Sequence, residues 1–272
     1  GDEACEAHLR MAYGVGLWKQ RQYPAAREQL ELAVALWRRA GQRLSVAHTL
    51  EDLALVYAAQ GKYTESLRAF EAALDDAREL LGDQHPIISS YLGNEASMLF
   101  LEYGEPARAL EAAQRAVAIV EATRPERPGL LGAQATEGEA LLALGRAEEA
   151  RAALAPVVAA APTGVLQGWN AAVAADLGRA YLALGRPEEA LPPLEQALAG
   201  SPDPEYAADA RFGISRALTA LGRDPKRAVS LAAEAKTILE SLDFLTPLQR
   251  SKHDEVVEWL EEPHHAPGPR PR

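Results

Sequence analysis

Residues able to do chemistry are plentiful in this chain, but their spacing assembles none of the familiar reaction centres. The six histidines, His8, His48, His85, His253, His264 and His265, form neither a His-Glu-x-x-His pair nor a Cys-His ligand pattern, so zinc chemistry lacks its ligands. His264 and His265 are two ligands in a solvated tail, which is too few for a site. Cys5 is the single cysteine. It excludes an internal disulfide, and near a frayed end it lacks the cationic, structured surroundings that activate a thiolate. Gly14-Val15-Gly16-Leu17-Trp18-Lys19 carries the glycines and lysine of a phosphate loop. Such a loop joins a strand to a helix, whereas these glycines fall inside a helical period, with Gly14 at a packing position. Asp243-Phe244-Leu245 lacks the glycine of a kinase magnesium-binding triplet, and the chain has no His-Arg-Asp loop. Glu139 and Asp176 are helix carboxylates of the ordinary solvated or paired kind. No enzyme and no cofactor are expected, and the enzyme alternative requires a deep cleft holding two strongly perturbed acids.

The elements that would position functional groups are helical and repeated. Over Ser45 to Pro86, Leu50, Leu53, Ala54 and Tyr57 recur at three- and four-residue spacing up to Gly61, which defines one face of a first helix. Ser66, Leu67, Phe70, Ala73, Leu74 and Ala77 mark a second helix. Small residues at Ala54, Ser66 and Ala73 let the two backbones approach closely. Such a hairpin cannot bury both its faces by itself, so further copies must stack on it. Copies are expected over about 6–41, 45–82, 87–123, 130–162, 165–202 and 204–242. Gly61, Gly104, Gly145, Gly185 and Gly222 punctuate them. Arg21 stands where the first copy would have its glycine, and Arg223-Asp224-Pro225-Lys226 adds a residue to the last turn. Thr246 and Pro247 open a capping helix over 246–262, with Leu248, Val256, Val257 and Leu260 apolar and Lys252 and Glu255 on its wet side. The tail 263–272 has nothing to offset its ordering entropy and is expected to be disordered. The expected fold class is all-α, an α-solenoid of six hairpins in a right-handed superhelix.

The 272 residues are 48% hydrophobic and 25% charged, enough to bury a large core. Abundant alanine and sparse β-branched residues favour helix almost throughout. A formal net charge of −11 argues against nucleic acid or an anionic membrane as partner, because both call for clustered cations. A basic or mixed-charge protein or peptide fits better. No apolar run approaches a membrane span and no signal peptide is recognisable, so a cytoplasmic location is expected. The start Gly1-Asp2-Glu3 is expected to be that of a piece of something longer.

Leu50, Leu53, Ala54 and Tyr57, followed by Gly61, Tyr63, Ser66, Phe70 and Ala73, resemble the tetratricopeptide repeat, in which only Ser66 departs from the usual alanine. The connector Leu80-Leu81-Gly82-Asp83-Gln84-His85-Pro86 resembles that of kinesin light chains. The resemblance implies protein or peptide binding. Leu144-Gly145-Arg146, Leu184-Gly185-Arg186 and Leu221-Gly222-Arg223 also resemble the C-terminal repeats of large bacterial serine/threonine kinases. That likeness implies recruitment to a kinase domain outside this chain.

Stacked hairpins present a concave surface lined by their first helices. The positions that packing leaves free there are His8, Met11, Val15 and Trp18, then Glu51, Asp52 and Leu55, then Tyr91, Asn94, Glu95, Met98 and Glu102, then Thr136, Glu139, Asp176, Arg179, Phe212 and Arg216. This strip is acidic early and basic late, which would orient a partner of opposite charge order. A carboxylate clamp is not expected, because Asn94, Arg179 and Arg216 lie in three different copies. An alternative reading is a peptide-sensing regulatory domain whose curvature changes on binding.

Overall fold

Left-handed turns carry this architecture. In the second hairpin, helix α3 (Arg43–Ala59) ends at Gly61, whose φ of 69° lies in the left-handed region. The Lys62 amide bonds the Tyr57 carbonyl and the Gly61 amide bonds that of Ala58, which closes the helix end and reverses the chain. Arg21 makes the same turn between α1 (Asp2–Lys19) and α2 (Tyr23–Arg39) at φ 59°, with Gln22 N bonded to Leu17 O. A side chain there carries the steric penalty that glycine avoids.

The computed structural model describes residues 2–97, 103–123, 128–160, 169–200, 204–242 and 245–262. Thirteen helices and no strand occur among them. After α3 come α4 (Tyr63–Leu81), α5 (Pro86–Glu95), α6 (Pro106–Thr123), α7 (Pro128–Ala143), α8 (Ala147–Ala160), α9 (Trp169–Ala183), α10 (Pro187–Gly200), α11 (Pro204–Ala220), α12 (Pro225–Glu240) and α13 (Pro247–Glu261). The chain forms two units, one of residues 1–100 and 111–133, the other of 101–110 and 134–272. The tail expected to be disordered lies outside the described residues.

In the first unit α1 pairs with α2 and α3 with α4, while α2 packs on α3 and α4 on α5. In three hairpins the seam is a glycine facing a leucine. A Cβ added to Gly14 would lie 2.8 Å from Leu30 Cγ, one added to Gly138 2.4 Å from Leu154 Cγ, and one added to Gly178 2.3 Å from Leu194 Cγ. Ser66, the departure from alanine, is fully buried and donates from Oγ to the Ala54 carbonyl at 2.8 Å. The hydroxyl is therefore satisfied where a bare one would be costly. Tyr13 and Leu9 on α1 are 61% and 64% exposed, since no hairpin packs on that flank.

In the second unit α9 pairs with α10 and α11 with α12, with α10 packed on α11. Leu194, Ile214, Leu218 and Leu231 fill the core between them. The extra residue in the last turn, Asp224, takes φ 39° and caps α12 by accepting from Arg227 N at 3.1 Å. Thr246 and Gln249 form a reciprocal capping box at the start of α13. Val256 of α13 packs with Phe212 and Leu239, and the Phe212 and Trp259 rings meet edge to face.

Candidate functional site

The first helices α3 and α5 lie side by side and are tied at a constant step. Tyr91 Oη bonds His48 Nδ1 at 2.9 Å, and Asn94 Nδ2 donates to Glu51 Oε1 at 2.6 Å; both pairs are separated by 43 residues. The His48 and Tyr91 rings meet edge to face with centroids 5.9 Å apart. Burial lowers the pKa of His48 and raises that of Tyr91, so the phenol donates to a neutral imidazole.

Glu51 and Asp52 are neighbours on α3, and both are half-buried. Burial pushes the Glu51 carboxyl up to about 7, against the opposing Asn94 bond and with some help from the Asp52 charge. Burial alone pushes Asp52 up to about 6. A carboxyl held near neutrality in this way either shares a proton or takes a cation. Glu51 and Asp52 are thus two perturbed acids side by side on one helix, and the partner of Glu51 is the Asn94 amide of α5.

The structure revises the expected strip. Tyr91 and Glu95, expected at free positions, are 2% and 8% exposed, and the Tyr91 hydroxyl is taken up by His48. Leu55 and Asn94 are half-buried beside Glu51 and Asp52. Met98 and Glu102 lie outside the described residues.

In the second unit the expected basic end is balanced by carboxylates. Arg179 bonds Asp176 at 3.0 Å, and Arg216 lies 3.8 Å from Glu255 and over the Phe212 ring. Lys252 bonds Asp209 at 2.7 Å with both side chains largely buried. Against its own burial, the Asp209 and Asp176 charges hold Lys252 above the usual lysine range. Phe212 and Asp176, expected to face solvent, are each 9% exposed. Lys252 leaves the wet side of α13 to sit on Asp209 of α11, whereas Glu255 stays exposed on it. The signal that would have placed Lys252 is its step from Asp209, again 43 residues. Arg179, Asp209, Arg216, Lys252 and Glu255 line a cavity of ≈ 20 Å³, room for about one water. Glu139 is half-buried, and its charge acts on Arg179.

Among the described residues no group of three His, Cys, Asp or Glu is placed to hold a metal ion, and no helix is long and apolar enough to cross a membrane.

Stacked antiparallel helix pairs with small-to-bulky seams and left-handed turns define an α-solenoid repeat protein. The chain belongs to the tetratricopeptide repeat family. Two family models described as tetratricopeptide repeat match it, one over residues 5–71, 45–122 and 132–203 and the other over 175–239. Among solved structures it is similar to the nearly identical TPR-like repeats of a kinesin-light-chain-type protein of Podosopora anserina. That match has 26% identity, covers 71% of this chain and 93% of that one, and has a TM-score of 0.57. BtubC from P. vanneervenii matches at 20% identity over 84% of this chain and 93% of its own, with a TM-score of 0.62. TTC0263, a thermophilic TPR protein of Thermus thermophilus, matches at 24% identity over 78% and 99%, with a TM-score of 0.54. No curated protein sequence matches significantly. Repeat arrays of this family are generally non-catalytic protein-interaction scaffolds.

Proposed function

We propose that this chain is a scaffold whose first-helix face on α3 and α5 binds a basic or mixed-charge segment of a partner protein. Glu51, Asp52, Leu55 and Asn94 make the contacts. The observation that carries the reading is the pair of half-buried carboxyls at Glu51 and Asp52, raised to about 7 and 6. A lysine or arginine entering between them supplies the charge that burial withholds, so each acid ionises as the cation binds. By sequence spacing Met98 and Glu102 extend this strip. In the second unit Glu139, Arg179 and Arg216 form a separate, charge-balanced patch suited to a polar segment. Attachment to a kinase domain in a larger bacterial signalling protein rests on the Leu-Gly-Arg punctuation alone.

The test is selection of peptides from a random library on the full chain, followed by affinity measurement with Glu51→Lys and Asp52→Lys. Glu65→Lys on the exposed side of α4 is the control. The reading requires selected peptides rich in Lys or Arg and at least a ~10-fold loss with the two first-helix reversals. Equal affinity in all three variants would remove Glu51 and Asp52 from the contact surface.

A further inference from the structure

Counted back from the turn glycines Gly61 and Gly222, Asp209, Phe212 and Arg216 of α11 hold the positions of His48, Glu51 and Leu55 on α3. On α3 they belong to the first-helix face assigned above to a partner. On α11 the same positions are taken by α13. Lys252 bonds Asp209 at 2.7 Å, Glu255 lies 3.8 Å from Arg216, and the Trp259 ring meets Phe212 edge to face. Lys252, Val256 and Trp259 follow one another at helical spacing, so one face of α13 makes the cationic and apolar contacts together. An amphipathic helix seats itself in a groove in this way.

The fit is incomplete. Beneath α13 the cavity of ≈ 20 Å³ is walled by Leu182, Phe212 and Leu239 and rimmed by Arg179, Arg216 and Lys252. The Glu255 charge is felt at Arg179, yet its distance to Arg216 exceeds hydrogen-bond reach. The joint therefore sets Val256, Trp259 and Leu260 and two ion pairs over an unfilled polar space, and a void forfeits the contacts that a packed seam makes.

We propose that α13 is a displaceable occupant of the α9–α11 face, and that the partner of this face is an amphipathic helix with the Lys252, Glu255 and Trp259 pattern. Its lysine takes Asp209, its aromatic ring takes Phe212, and its acid reaches both Arg179 and Arg216 and fills the cavity. In the chain alone α13 holds the face closed. This deepens the reading of Arg179 and Arg216 as a contact patch and rests on it.

The probe is a synthetic peptide of the α13 sequence, Thr246–Glu262, titrated into the full chain and into the full chain carrying Val256→Asp. That change puts an unpaired charge between Phe212 and Leu239 and so undocks the chain's own α13. The expected result is binding to the Val256→Asp chain at least ~10-fold tighter than to the parent, and at least ~10-fold weaker again when Arg216→Glu is added. In the parent, hydrogen exchange should find the α13 amides at least ~10-fold less protected than those of α11 and α12, a readout independent of how the variant folds. Equal binding to parent and variant, or α13 protected as well as α11, overturns the displacement and leaves the patch reading standing. A peptide that binds neither folded chain overturns both.

Discussion

Gly178→Ala and Gly16→Ala make the same chemical change in the first helix of a hairpin, and the seam described above predicts opposite outcomes. At Gly178 the new Cβ would sit 2.3 Å from Leu194 Cγ and 2.7 and 3.0 Å from its two methyls. Ordinary carbon contacts lie at about 3.5–4.0 Å, so more than an ångström of overlap must be relieved. Leu194 is fully buried and has little room to yield, because a Cβ at Gly213 on α11 would meet the same side chain at 2.5 Å. Overpacking of this kind costs about 1–3 kcal/mol, against about 1 kcal/mol gained from replacing a helical glycine by alanine. The expected net loss is up to about 2 kcal/mol. At Gly16 nothing lies within 4 Å, so the helix term stands alone and stabilises by about 0.5–1 kcal/mol. Urea unfolding followed by far-UV circular dichroism separates the two. The midpoint should fall for Gly178→Ala and rise for Gly16→Ala, and Gly178→Ala combined with Leu194→Ala should cost less than the sum of the single changes. A rise in midpoint for both glycine variants would refute the close-approach account of the hairpin seam.

Arg21→Gly removes a side chain from a left-handed turn with φ 59° and should raise the thermal midpoint by the equivalent of about 0.5–1 kcal/mol; a lower midpoint would show that the arginine itself stabilises the turn. Lys252→Met leaves Asp209 largely buried without its cation and should destabilise by about 3 kcal/mol, with Asp209→Leu added to it recovering most of the loss in the same melting assay. The raised Glu51 carboxyl binds more protons in the folded chain than in the unfolded chain between about pH 4.5 and 7. Its favourable contribution is thus complete below the unfolded value and lost as pH rises through the folded one. Stability should decline from about pH 5 to 8, and Glu51→Gln should flatten that decline in chemical unfolding measured at each pH.

The hairpins were legible because their determinants are local and periodic. Leu50, Leu53, Ala54 and Tyr57 announce one face of α3, and Gly61, Gly145 and Gly185 mark turns whose backbone demands a left-handed residue. The candidate site was harder to read because its chemistry depends on neighbours a full repeat away. Tyr91 sits on a first-helix position that packing rules leave open, yet His48, 43 residues earlier, covers it. Lys252 looks like any wet-face lysine until α13 places it on Asp209. The raised carboxyl of Glu51 comes from burial between α3 and α5, which no spacing on α3 alone reveals.

Calorimetric titration of a selected Lys- or Arg-bearing peptide into the full chain, repeated at about pH 5.5 and 7.5 and in two buffers of different ionisation heat, bears most directly on the binding face. Because a bound cation ionises Glu51 and Asp52, binding at about pH 5.5 should release protons. Affinity should rise by roughly 10-fold or more between the two pH values, and Glu51→Gln should abolish most of that rise. Affinity unchanged by pH, with no proton released and no effect of Glu51→Gln, would contradict the placement of the binding face on α3 and α5.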